Sequence, residues 1–347
     1  MRGVFLIIGL MLSTNPSWSA EEITPYKYTD QDKGMPAYDI PSSSRFTAKR
    51  LEADAPDSIY YFTKPKADNY PIAILCGGST TKDDIGSIIH FHRYFLQEFM
   101  DLGAAVLTVE QWGVDGNKVN AKEFMDHYTR TQRLKDHQAV IEHLKSNPPK
   151  GWNGKLIFLG VSEGGPIVTT LTAKYSDITM ATINWSGAGD WSWREELWMF
   201  IEGMKENASC WMKLCDLMPR WLPFSFGLPK TREAYDLVMN KTLENPISDE
   251  EFLGMTYQYH ADALLYAAPR YTQIKTPLFL KKGCLVYSDG ALCHCRRIFI
   301  GMESGAKMCP KSQDFEAKGE SCCGARRAKQ LLIVLRSRGL GFRGGPI

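Results

Sequence analysis

The chain has 347 residues, of which 44% are hydrophobic and 23% charged, and its 41 Lys and Arg against 39 Asp and Glu leave a formal net charge of +2. That composition excludes a disordered chain, a collagen-like repeat and a disulfide-dense mini-protein, and it offers no basic footprint for nucleic acid. The length allows one large domain or two small ones.

At the N-terminus, Met1-Arg2 precedes the apolar run Val4–Leu12, and Ser17-Trp18-Ser19-Ala20 follows. A basic start, a short apolar stretch and small residues match a secretory signal peptide over 1–20, cut after Ser19 or Ala20. The run is shorter than the roughly 20 apolar residues that span a bilayer, so a secreted or periplasmic protein is expected, without stable membrane insertion. Export would permit disulfides. In the body, Cys210 and Cys215 lie close in sequence and Cys76 stands alone. Cys210 and Cys215 form a single C-x₄-C with no second such pair to complete a zinc site, so no metal is expected.

Residues 21–68 are polar and proline-dotted, and Ser58–Phe62 alternates as one of the leading strands of a sheet. Ile72–Cys76 is a continuous apolar run closed by Gly77-Gly78, the pattern of a buried parallel strand. Phe91–Leu102 has helical spacing and stops at Gly103; Ala104–Val109 is the next buried strand. Thr131–Leu144 is helical, with Leu134, Val140, Ile141 and Leu144 on its apolar face. A third strand, Lys155–Leu159, a third helix, Ile167–Tyr175, and a fourth strand, Ile178–Ile183, follow. Strand and helix alternating at this spacing predict an α/β fold, a mostly parallel sheet with helices on both faces. From about 191 to 271 the text turns rich in Trp and Met with no strand run, which predicts a helical cap insertion. Thr276–Leu280 returns to the strand pattern.

The third strand runs into Gly160-Val161-Ser162-Glu163-Gly164-Gly165, with a helix behind it. G-x-S-x-G between a strand and a helix is a nucleophile elbow, which lifts a serine hydroxyl above the sheet and sets backbone N–H groups where an oxyanion would form. On this motif and the order of its elements, the stretch Ser58–Leu280 resembles the α/β-hydrolase superfamily. Leu159–Pro166 and the preceding helix with Asp136 suggest the branch of dienelactone hydrolases, prolyl oligopeptidases and acyl-CoA thioester hydrolases. The resemblance implies Ser162 as nucleophile and an oxyanion hole from the N–H of Glu163 and that of Gly78 or Ser79. It implies an acyl-enzyme route on an ester, thioester or amide and no organic cofactor, and the Trp- and Met-rich cap suits a substrate of apolar character. His90 and His92, at the start of a helix, read as pocket-lining or merely solvated. Asn184, Asn207 and Asn240 head N-glycosylation sequons.

The resemblance also requires an acid just after the strand at 276–282, as G-x-x-D, and a histidine beyond a further strand. This chain has Gly283-Cys284-Leu285-Val286 there instead. Asp289 is the nearest acid and His294 the one histidine after it, with Asp190 an alternative acid and His260 an unusual alternative base. A separation of five positions between Asp289 and His294 leaves no room for a helix and a strand. The text also changes character here: 284–347 holds six of the nine cysteines and none of the nine tryptophans, and its 11 basic against 5 acidic residues give +6. A shifted reading frame past Gly283, or a divergent tail stapled by disulfides, accounts for both features. The expected layout is therefore a signal peptide at 1–20, a hydrolase core at 21–283 and an atypical tail at 284–347. The expected function is an exported serine hydrolase acting through Ser162, Asp289 and His294. The alternative is a catalytically inactive hydrolase fold with an incomplete triad, kept for binding or produced by a disrupted frame.

Export has a direct test: N-terminal sequencing of cell-derived protein should begin at Ala20 or just after. An intact Met1 in the cytosolic fraction would overturn it.

Overall fold

The computed structural model describes residues 44–82, 84–116, 118–185, 187, 191–207 and 228–281. The signal peptide, Asp190, Asp289, His294 and the tail from 284 onward lie outside the described residues. In chain order the elements begin β1 (Ser44–Ala48), β2 (Ser58–Thr63), β3 (Tyr70–Cys76), α1 (Ile89–Asp101), β4 (Ala105–Val109), β5 (Val114–Asp115), β6 (Lys118–Val119), α2 (Ala121–His127) and α3 (Arg130–Ser146). They continue β7 (Trp152–Val161), α4 (Gly164–Lys174), β8 (Thr179–Trp185), α5 (Trp193–Asn207), α6 (Arg232–Glu244), β9 (Glu251–Phe252), β10 (Met255–Thr256), α7 (Tyr257–Leu265) and β11 (Leu278–Lys281).

Seven strands form one sheet in the order β1–β2–β4–β3–β7–β8–β11. The first three are antiparallel neighbours, and every pair from β4 onward is parallel. The apolar runs explain why. In β3, Ile72, Ile74 and Cys76 face the helices α3 and α4, packing with Val140, Leu144 and Ile167. Ala73 and Leu75 face the other way, against Phe95 and Phe99 of α1. A strand buried on both faces must be apolar at every position, as Ile72–Cys76 is. This is the mostly parallel α/β sheet with two covered faces that the sequence implies.

The segment between β8 and β11 contains the expected helices and also a two-stranded hairpin. Leu253 and Gly254 both take positive φ, 54° and 74°, which gives a tight turn between β9 and β10. Strands of two residues are too short to show alternation, so the sequence concealed them. The helices α5, α6 and α7 share a cluster built on Trp193, Leu197, Tyr235, Met239 and Tyr259. They are tied to the core where Arg130 lies 4.4 Å over the Trp193 ring and where the Thr131 N–H donates to Asp262 at 3.0 Å. No helix among the described residues is long and apolar enough to cross a membrane.

One expectation about histidines is corrected. His92 is not solvated and does not line a pocket: it is wholly buried under α1, with its two ring nitrogens 3.0 Å from the hydroxyls of Thr63 and Thr108. The helix turns it inward beside Phe95 and Phe99, and two threonines on the sheet supply its polar partners. Burial lowers its pKa from the ordinary 6.5 to about 3, and lowers those of His137 and His260 to about 4.

These three histidines make the fold acid-sensitive. The folded state holds them neutral, so their contribution is complete above their unfolded pKa of about 6.5 and is lost as the pH falls toward 4. Each should remove about 1.4 kcal/mol of stability per pH unit below that value. Calorimetric melting between pH 7 and pH 5 should show the loss, and His92→Gln should make the slope shallower. A slope unchanged in the variant would assign the acid sensitivity to other groups.

Candidate active site

The nucleophile turn is built by a close approach of backbones. A Cβ on Gly160 would stand 2.2 Å from the Gly164 carbonyl oxygen, and one on Gly164 would stand 2.2 Å from the Cys76 carbonyl oxygen. Only glycine at both positions lets α4 begin flush against the ends of β3 and β7. The chain must reverse within one residue between them, and Ser162 takes a left-handed φ of 51°. The Ser162 N–H donates to the Trp185 carbonyl at 2.8 Å and its own carbonyl accepts from the Gly165 N–H at 2.9 Å, so both neighbours hold the turn.

This turn sits where the strand order reverses. β3 connects through α1 to β4 on one side, and β7 connects through α4 to β8 on the other. Adjacent parallel strands whose connections leave in opposite directions open a crevice at their carboxyl ends, the usual ligand position in open α/β sheets. The carboxyl end of β7 delivers Ser162, half-buried, and that of β3 delivers Gly77 and Gly78. A Cβ on Gly78 would stand 3.3 Å from the Ser162 Cβ and 3.8 Å from its Oγ, so the loop after β3 lies against the serine. Ser79, exposed, follows on the same loop, and Glu163 caps the N-terminus of α4.

The Glu163 side chain points into the protein and is 2% exposed. It accepts from Arg133 Nη1 at 2.7 Å and from the Tyr128 hydroxyl at 2.9 Å, with Arg130 Nε 3.6 Å away. Arg133 also donates to the carbonyls of Gly77 at 2.7 Å and Gly78 at 3.2 Å. Tyr128 accepts from the Thr80 N–H at 2.9 Å. Burial, and then the neighbouring Glu163 charge, hold its phenol well above the usual range, so it remains a donor. Arg130, Arg133 and Tyr128 are not among the residues that the sequence singles out. A signal was present: Arg130, Arg133 and His137 recur at i, i+3 and i+7 on the face that carries Val140 and Leu144, where charges need a partner.

Other residues singled out by sequence have different occupations. Asp136 pairs with Arg50 at 2.7 Å, both nearly inaccessible. His260 accepts from the Trp193 indole at 3.2 Å and lies 2.8 Å from the Phe252 carbonyl. Cys76 is a free thiol whose pKa burial pushes up to about 11. The Asn184 sequon is closed in the folded protein, because the side chain is buried, donates to Tyr271 at 2.8 Å and accepts from Gly187 N at 2.9 Å.

No family model matches the chain, and no curated protein does. Among solved structures it is similar to the esterase Est1E of Butyrivibrio proteoclasticus with bound ferulic acid, at 18% identity, over 67% of this chain and 77% of that one, with a TM-score of 0.40. It is similar to the Pyrococcus furiosus esterase Pf2001 at 16% identity, over 74% and 73%, also at 0.40. A bacterial heroin esterase aligns at 19% identity over 43% and 45%, at 0.34. At such values the likeness carries no argument about chemistry, and the chemistry has to be read from the site itself.

The strain at the turn is measurable. A non-glycine residue in the left-handed region costs roughly 1–2 kcal/mol, so Ser162→Gly should raise stability by about 1 kcal/mol while Ser162→Ala should not. Chemical denaturation of both variants tests this. Equal stability of the two would show that the turn is unstrained.

Proposed function

We propose that this protein is a serine hydrolase in which Ser162 forms an acyl-enzyme with an ester, thioester or amide. The observation that carries the proposal is Ser162 in a left-handed turn at the switch-point crevice, with the Gly78 backbone against it. In this scheme Ser162 Oγ attacks the acyl carbon and passes its proton to a base. The carbonyl oxygen becomes an oxyanion held by N–H groups of Glu163 and of Gly78 or Ser79. The alcohol, thiol or amine leaves with that proton, and water releases the acid by the same steps reversed. The apolar cluster of the cap supports an apolar acyl group as substrate. Tyr128 stacks on Tyr259 of that cluster, with ring centroids 5.0 Å apart, while its hydroxyl touches Glu163, so the cap adjoins the nucleophile turn.

The base in this proposal is His294, oriented by Asp289. The inactive alternative also has an observation in its favour. His92, His137 and His260 are buried, bonded elsewhere and held neutral, and His127 stacks on Trp112 at 3.8 Å. These four are committed to other contacts, and the proposed base is carried beyond β11 at an unusual spacing.

A fluorophosphonate probe separates the two, since labelling requires an activated serine. The proposal expects labelling and p-nitrophenyl ester turnover in the full chain, abolished in Ser162→Ala and lowered at least about 10³-fold in His294→Ala. Absence of both in the unsubstituted chain would establish the inactive fold. Turnover unchanged in Ser162→Ala would remove Ser162 from the chemistry altogether.

A further inference from the structure

We infer that Arg133, assisted by Tyr128, is a positioning residue that presents the amides of Gly78 and Ser79, and not that of Thr80, to the oxyanion; this rests on the serine-hydrolase proposal above. The loop that follows β3 belongs to no helix or strand and opens with two glycines, so its own sequence does little to fix its peptide planes. The Arg133 guanidinium fixes two of them by donating to the Gly77 and Gly78 carbonyls. In a planar trans peptide the N–H points opposite to the preceding C=O. Carbonyls turned toward Arg133 therefore direct the N–H groups of Gly78 and Ser79 away from it. The third amide is engaged elsewhere: the Thr80 N–H donates to the Tyr128 hydroxyl, which donates onward to Glu163. Two of three consecutive amides thus stay open to a ligand, and the first belongs to Gly78, which lies against Ser162.

The same guanidinium closes the circuit through its 2.7 Å bond to Glu163, the residue after the nucleophile. The loop and the turn are consequently held in register by one side chain from α3. The arrangement also manages charge. A buried carboxylate one residue from the nucleophile would repel a developing oxyanion, and Arg133 and Arg130 beside it offset that charge.

The test compares Arg133→Met, Arg133→Lys and Tyr128→Phe in the full chain, each checked for folding by circular dichroism. Two readouts are taken: reactivity toward a fluorophosphonate probe and p-nitrophenyl esters, and amide hydrogen exchange of the peptide spanning 76–82. The inference expects kcat to fall about 10²-fold in Arg133→Met with KM changed less than threefold, and partial recovery in Arg133→Lys. It expects exchange of the Thr80 amide, the bonded one of the three, to speed about tenfold while that of β7 and α4 is unchanged. Unchanged loop exchange in folded Arg133→Met, or unchanged kcat, overturns it. Should Arg133→Met not fold, Tyr128→Phe decides through the exchange of the Thr80 amide. If the unsubstituted chain does not react with the probe, the serine-hydrolase proposal fails on its own, and the exchange data still accept or reject the clamp.

Discussion

A helix that starts within van der Waals reach of two strand ends leaves no room for side chains at its first turn, and much of the site follows from that crowding. Gly160, Gly164 and Gly165 are positions where an added Cβ would meet backbone or the Asn184 amide at 2.2–2.3 Å. With α4 set that close, the chain turns through Ser162 alone, which accounts for its left-handed backbone. The next residue cannot point outward either. Glu163 is driven inward between α3 and the loop after β3, and a carboxylate there demands donors.

Those donors explain the polar stripe on α3. An isolated buried carboxylate is costly, and pairing it with a buried arginine roughly offsets that cost without stabilising the fold overall. A well-packed apolar replacement would serve stability as well. What an apolar cluster cannot do is hold specific peptide planes. Arg133 has five donors in a rigid fork, and four acceptors surround it: the Glu163 carboxylate, the Gly77 and Gly78 carbonyls, and the Cys76 sulfur at 3.5 Å. The arrangement is better suited to fixing geometry than to adding stability, which places its value at the site.

The sheet was legible because β3, β4, β7 and β8 carry apolar runs, a pattern that comes directly from burial on both faces. The elbow was legible because glycines at 160 and 164 answer a steric demand that no other residue meets. Other features escaped for physical reasons. β5, β6, β9 and β10 each span two residues, below any period that alternation can reveal. His92 reads as a surface residue by type, and only the threonines on β2 and β4, far off in sequence, make its burial tolerable. Arg130 and Arg133 break the apolar stripe of α3, and the carboxylates that bond them, Glu196 and Glu163, lie 66 and 30 residues away.

The register of the last strand bears on where the remaining chemistry must enter. β11 runs parallel to β8, and Lys281 is the register partner of Trp185. Trp185 is in turn the partner of Val161, and its carbonyl receives the Ser162 N–H. The chain therefore leaves β11 at the same end of the sheet as the nucleophile, two strands to the side. His92, His127, His137 and His260 all sit on helices, fixed by hydrogen bonds or ring contacts within the packed body of the protein. None of these four can turn toward Ser162 without giving up a contact that the packed body of the protein now makes.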